Sequence, residues 1–180
     1  MTEKLSALQH RLATPDDMAA LEVLMDAAIG ELQRPFLDSA QIDSSRAIMG
    51  LDSQLVHDGT YYVVLDQGEI VGCGGWSRRE TMYGGDRSPG RDPALLDPAQ
   101  DAARIRAMYT DPRHARRGVG RLIIELCEAA ARAEGFSRAE LVSTLSGAPL
   151  YRACGYVSVE ALVDASGGAG VPLVRMHKML

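Results

Sequence analysis

Arg116-Arg-Gly-Val-Gly-Arg121 packs three arginines and two glycines into six residues, between a strand-like and a helix-like stretch. Gly118 and Gly120 let the backbone turn tightly with its amides pointing one way. The helix that follows would present its unpaired amides and positive dipole end to the same spot. Arg116, Arg117 and Arg121 add charge and planar donors suited to phosphate. The chemistry is anion binding, and a pyrophosphate is the natural guest. A P-loop would need Gly-Lys-Ser/Thr here, whereas Gly120 is followed by Arg121-Leu122. A dinucleotide fold would need a third glycine in a parallel βαβ unit; that glycine is missing, and antiparallel elements are expected to precede the motif.

No other group of residues carries so much. Cys73, Cys127 and Cys154 are odd in number and unclustered, which suits buried fillers better than a disulfide framework or a metal site. His10, His57, His114 and His177 show no ligand spacing, and no metal is expected. His10 alternates with Leu8 and Leu12 and reads as a satisfied structural histidine. The net charge of −5 argues against a nucleic-acid partner, which favours a basic domain. Apolar runs are far short of the ~20 residues of a membrane helix, and the first ten residues lack a secretory apolar stretch, so a cytoplasmic protein without a membrane partner is expected.

The elements that must position the motif follow from periodicity. At 180 residues the chain fits one domain, 1–180. A short strand at 8–12 leads into Thr14-Pro15-Asp16-Asp17, a helix start, with Met18, Leu21, Leu24, Met25 and Ile29 at helical spacing. A shorter helix is expected over 39–55. Tyr61–Leu65 and Ile70–Trp76 form a hairpin across Asp66–Glu69, and glycines in the return strand predict close backbone approach by another group. Residues 77–101 are rich in glycine, proline and charge and read as a long surface loop inserted in the domain. Residues 104–109 read as a strand with Ile105, Ala107 and Tyr109 on one side. The helix after the motif carries Val119, Leu122, Ile123, Leu126 and Ala130 inward, and Arg121/Glu125 and Glu128/Arg132 outward. A strand at 139–142, a short helix at 148–153 and two last strands complete an α/β (α+β) order around a mixed sheet.

Met108-Tyr-Thr-Asp-Pro-Arg-His-Ala-Arg-Arg-Gly-Val-Gly-Arg121 resembles the acetyl-CoA-binding motif of the GNAT superfamily of N-acetyltransferases. Leu145-Ser-Gly-Ala-Pro-Leu-Tyr-Arg-Ala-Cys-Gly-Tyr156 is similar to that family's later signature, and Arg11-Leu-Ala-Thr-Pro-Asp-Asp17 to its opening strand and helix cap. The resemblance implies a single twisted mixed sheet of about seven strands flanked by about four helices and splayed between the central strands. It implies acetyl-CoA as co-substrate, its pantetheine arm paired with backbone around Met108, Tyr109 and Thr110, and its pyrophosphate on Arg116, Arg117, Gly118, Val119, Gly120 and Arg121. Tyr151 matches the family tyrosine near the sulfur and takes the role of acid to the departing thiolate.

The sequence departs from the pattern at Ala115, where Gln or Arg is usual, and at Ser146, where an asparagine is common. No glutamate stands on the expected central strand, so the base is open among Glu80, Asp86, Asp101, His114 and water. Cys154 lies beside the tyrosine, but no histidine is placed to activate it. The acceptor implied is a small-molecule or peptide amine, met from the side of the 77–101 loop, with Glu80 and Tyr83 as candidate contacts and glycine hinges for a lid. A homodimer is compatible with this reading. The alternatives are a non-catalytic acyl-CoA-binding sensor and an interaction protein on the same scaffold.

Overall fold

The computed structural model describes residues 8–180. Its centre is one seven-stranded sheet, ordered β1-β2-β3-β4-β5-β7-β6. In chain order the elements are β1 (Gln9–Leu12), α1 (Met18–Leu32), α2 (Ser39–Ser45), α3 (Ser53–His57), β2 (Tyr61–Asp66), β3 (Glu69–Ser77), β4 (Ala103–Thr110), α4 (Val119–Ala133), β5 (Arg138–Thr144), α5 (Ala148–Ala153), β6 (Val157–Asp164) and β7 (Val171–Met179). Among the described residues the helices number five rather than four because the stretch expected as one helix over 39–55 breaks in two around Gly50, whose φ of +128° no helix allows.

Local chemistry explains the start. Pro15 opens a short 3-10 turn, and Asp17 reaches back to accept from the Thr14 amide at 2.8 Å. Arg11 grips the same carboxylate at 2.7 and 2.9 Å. β1 is an edge strand with exposed side chains throughout, so His10 faces solvent and is not a core histidine.

Two layers of helix cover the sheet. α1 packs on one face through Leu21, Met25, Ile29, Tyr61, Val63 and Tyr109. α4 packs on the other through Val119, Ile123, Ile124 and Cys127 against Val64, Val71 and Ile105. The β3 glycines make this possible. A Cβ on Gly72 would lie 2.2 Å from Val119 Cγ1, and one on Gly74 2.8 Å from Ile123 Cγ2. The group that the glycines admit is therefore α4. Glu128, expected on its outer face, is instead buried and receives Lys178 Nζ at 2.8 Å.

The central strands part. β4 and β5 pair in parallel only at Ala103–Ala139 and Arg104–Glu140. Beyond that point β4 carries a bulge. Against β3, Arg106 faces Gly75 but Tyr109 faces Cys73, and Ala107 takes up the extra residue at φ +51°. The bulge also switches faces, so Ile105 joins the α4 layer while Ala107 and Tyr109 join the α1 layer.

Candidate active site

The parting strands open a cavity of about 1000 Å³ that runs from the start of α4 to the end of α1. Its two ends differ in kind.

At the first end the chain turns through two left-handed residues, Arg116 at φ +62° and Gly118 at φ +86°. Such alternation aims successive amides into one concavity. The first α4 turn bond runs from Leu122 N to Gly118 O at 3.0 Å, so the amides of Val119, Gly120 and Arg121 have no helical carbonyl to meet. All three residues line the cavity, with Arg116 and Gly118. Arg117 does not: its guanidinium turns away to Asp66 at 3.4 Å, beside His114 Nε2 at 3.7 Å. Gly120 has a second duty, because a Cβ there would stand 2.5 Å from Leu150 Cδ2. Met108, Tyr109 and Thr110 line the β4 wall, and Val142, Ser143 and Thr144 the β5 wall.

Tyr151, on α5, lines the middle of the cavity. Its ring meets Tyr156 edge-on, with centroids 5.9 Å apart. Burial raises its pKa well above the ordinary phenol value. Among the described residues its hydroxyl has no hydrogen-bond partner, so the proton is free for a guest. Cys154 is half-buried and free, and burial raises its thiol pKa, which does not favour a nucleophile.

The far end is walled by Leu32 at the end of α1 and by Gln33 and Phe36 just after it, by Met49 and Gly50, by Met82, Tyr83 and Gly84 of the long loop, and by Leu173 of β7. The loop is fastened along its length. Arg106 is 4% exposed and donates to Asp52 Oδ2 at 2.6 Å, to Thr81 O at 3.1 Å and to Gly84 O. Asp52 accepts Arg91 at 2.8 Å on its other oxygen, and Arg79 holds Asp58 at 2.7 and 2.9 Å. Tyr83 donates to Asp164 Oδ2 at 2.8 Å. The expected glycine hinges thus sit in an anchored segment. Near its end the loop also forms a bridge between Leu95 and Arg79.

The structure brings Tyr151, Met108, Tyr109, Thr110, Arg116, Gly118, Val119, Gly120, Arg121 and Tyr83 onto one cavity, and leaves Arg117 and Glu80 outside it. Glu80 is exposed and lies 3.4 Å from Arg104. Asp86 is held by the Ser53 amide and hydroxyl at 3.0 Å each, and Asp101 by the Asp97 amide at 2.7 Å. No carboxylate or imidazole lines the cavity among the described residues, and no group of three or more metal-ligating side chains occurs among them. Sequence reading missed Gln33, Met49 and Met82, which come from separate segments. Only Gln33 left a signal: it stands four residues after Ile29, where the apolar stripe of α1 should continue.

The model of the acetyltransferase (GNAT) family matches residues 22–156. No curated protein matches the chain. Among solved structures, a GCN5-related N-acetyltransferase from Rhodopseudomonas palustris superposes with a TM-score of 0.71 at 22% identity, covering 100% of this chain and 99% of that one. The PaiA N-acetyltransferase of Thermoplasma acidophilum, solved in complex with coenzyme A, gives 0.64 at 10% identity over 97% and 99%. The ribosomal-protein-alanine N-acetyltransferase of Brucella melitensis gives 0.62 at 16% identity over 96% and 99%. With three-quarters of its length matched, the chain belongs to the GNAT family of acetyltransferases.

Proposed function

We propose that this acetyltransferase moves the acetyl group of acetyl-CoA to a primary amine by direct attack, with Tyr151 as acid to the thiolate. One observation carries the reading: a single cavity joins the amide cradle at the start of α4 to the Tyr151 hydroxyl and goes on to a second, apolar end. The residues fit the cofactor. The amides of Val119, Gly120 and Arg121, with the Arg116 and Arg121 side chains, suit a pyrophosphate. The unpaired edges of β4 and β5 leave backbone groups free for the amides of a pantetheine arm.

In the transfer, the amine nitrogen forms a bond to the thioester carbon, and the carbon–sulfur bond breaks. Tyr151 gives its proton to the sulfur as negative charge grows there. The proton shed by nitrogen, passed through water, restores the phenol, so the sum of the reaction is amine plus thioester to amide plus thiol. The raised pKa of Tyr151 keeps it protonated at neutral pH, so it can serve as a hydrogen-bond donor to the sulfur. Three unpaired cysteines, two of them buried, and the acidic composition support a cytoplasmic setting. Among the described residues no helix is long and apolar enough to cross a membrane.

Calorimetry with acetyl-CoA, followed by thiol release over a panel of amines, tests the reading. Affinity between about 1 μM and 1 mM with amine-dependent thiol release is expected. Binding without release would mark a sensor, and no binding would leave only the scaffold.

A further inference from the structure

We infer that the acceptor is a primary amine on an apolar body, basic so weakly that it arrives uncharged, and that Gln33 and Tyr83 receive its N–H groups. This rests on the acetyl-CoA-dependent reading above and names the guest of the cavity's other end.

Gln33 is 2% exposed and lines the cavity. Its Nε2 donates to Ser45 Oγ at 3.1 Å and Met49 Sδ at 3.5 Å, which fixes which way the amide faces. Its Oε1 is buried and has no partner. A buried acceptor left empty is costly, and an N–H brought by a guest at this wall would satisfy it once the neighbouring packing gives way. Tyr83 offers the same polarity. Its own proton is committed to Asp164, so the phenol oxygen remains as an acceptor toward the cavity. Around these two oxygens stand Leu32, Phe36, Met49, Met82 and Leu173, which suit an apolar body.

The charges on this wall disfavour a cation. Arg106 lines the cavity, and its partner Asp52 is shared with Arg91, so two guanidinium groups surround one carboxylate. The other titratable groups on the wall are Tyr83, Tyr109, Tyr151, Arg116 and Arg121, with Asp164 behind Tyr83. Burial raises all three tyrosines, Tyr83 to about 12 with help from Asp164. Burial pushes Asp164 up, but hydrogen bonds from Ser166 and Tyr83 outweigh it and hold the carboxyl below its usual range. The three tyrosines therefore keep their protons near neutrality, and Asp164 stays ionised there.

A wall without a base suits an amine that needs none. At pH 7.5 a lysine amine with pKa ~10.4 is uncharged in about 1 molecule in 800, whereas an α-amine near ~7.8 is uncharged in about a third. The uncharged amine also carries the proton that the departing thiolate requires, so the transfer balances without a further acceptor.

The test uses the whole chain with acetyl-CoA and three amines: phenylalaninamide, N-acetyl-lysinamide and spermidine. Thiol release is followed from about pH 6 to 9, and amine binding to the CoA-saturated protein is measured by calorimetry. Phenylalaninamide is expected to exceed the other two in kcat/KM by at least about tenfold, and the acidic limb of its profile should sit at the pKa of the amine itself and move when a less basic aromatic amine replaces it. Gln33→Leu should weaken phenylalaninamide binding about tenfold and leave CoA affinity unchanged. Gln33→Glu, which keeps the shape and adds a carboxylate, should raise the relative rate with spermidine. Equal or better turnover of spermidine or N-acetyl-lysinamide, or an acidic limb that stays fixed whatever the amine, overturns the acceptor class and leaves the transferase standing. Thiol release with no amine, while CoA still binds, overturns both.

Discussion

The two ends of the cavity are built on opposite principles. On the proposed reading, the anion end comes from one continuous stretch, Arg116–Arg121, and works through backbone amides and left-handed turns. The proposed acceptor end is collected from α1, the 49–50 turn, the long loop and β7, and would work through side chains. A backbone site is local, tolerant of side-chain change and suited to a guest that stays the same. A side-chain site is non-local and can be re-lined without moving the fold. Cofactor affinity and acceptor choice should therefore come apart under mutation.

The sharpest way to break that separation is Gly120→Asp. It sets a negative charge in the anion cradle and a Cβ 2.5 Å from Leu150 Cδ2. CoA affinity should fall by more than about 100-fold, or about 2.7 kcal/mol, while circular dichroism stays native. Gly120→Ala, which adds the Cβ without the charge, should lose less; an equal loss would mean that packing on α5, not charge, governs this end.

Tyr151→Phe lies at the junction. kcat should drop by ten- to ten-thousandfold, the range that general acids supply, with little change in CoA affinity. Equal kcat in the two proteins would remove Tyr151 from the chemistry.

Asp52→Ala strikes the acceptor end alone. It leaves buried Arg106 and partly buried Arg91 without their counter-ion, which should cost ~3–5 kcal/mol of stability. Chemical denaturation measures it. In protein that remains folded, the acceptor KM should rise while the CoA dissociation constant stays within about threefold. A parallel loss of CoA affinity would show that the two ends are mechanically one.

The smallest effect is expected outside both ends. The Arg11 guanidinium and the Thr14 amide hold Asp17 down at a pKa of about 2. A depressed carboxyl adds stability above its unfolded pKa of ~3.9 and loses it as pH falls through the folded value. With Arg11 partly exposed and screened, about 1 kcal/mol should vanish between pH ~4 and ~2, and Asp17→Asn should flatten that stretch of the stability curve. A similar curve in both proteins would remove the pair from the account.

What the sequence discloses divides along the same line. The anion loop, the Tyr151 helix and the β3 glycines were legible because each is a local pattern with a local cause. β4 was misread because alternation assumes an unbroken strand. Ala107, at φ +51°, inserts one residue, and a one-residue insertion moves every later side chain to the other face. Nothing in Arg104–Tyr109 announces it, since alanine is not a residue that prefers that conformation. The side chains of Glu80 and Arg117 pair with Arg104 and Asp66, contacts between distant segments that neither the loop composition nor the motif announces. His10 alternates as a core residue would, yet it faces solvent, because alternation does not say whether a strand lies at an edge. Phe36, Met49 and Met82 share no spacing, so no reading of one segment could have joined them.

Two residue pairs are all that bond β4 to β5, so the sheet is nearly two sheets, β1–β4 and β5–β7, stitched at one end. The consequence concerns cooperativity in the free protein. The strand amides that face the split are covered by no neighbouring strand, and their exchange with deuterium should be quick even when the rest of β4 and β5 is slow. A molecule lying in the split would protect them and join the halves, so saturating CoA should raise the melting temperature and merge two exchange populations into one. The seam proposed to make room for a thioester would then also be where the free fold first opens.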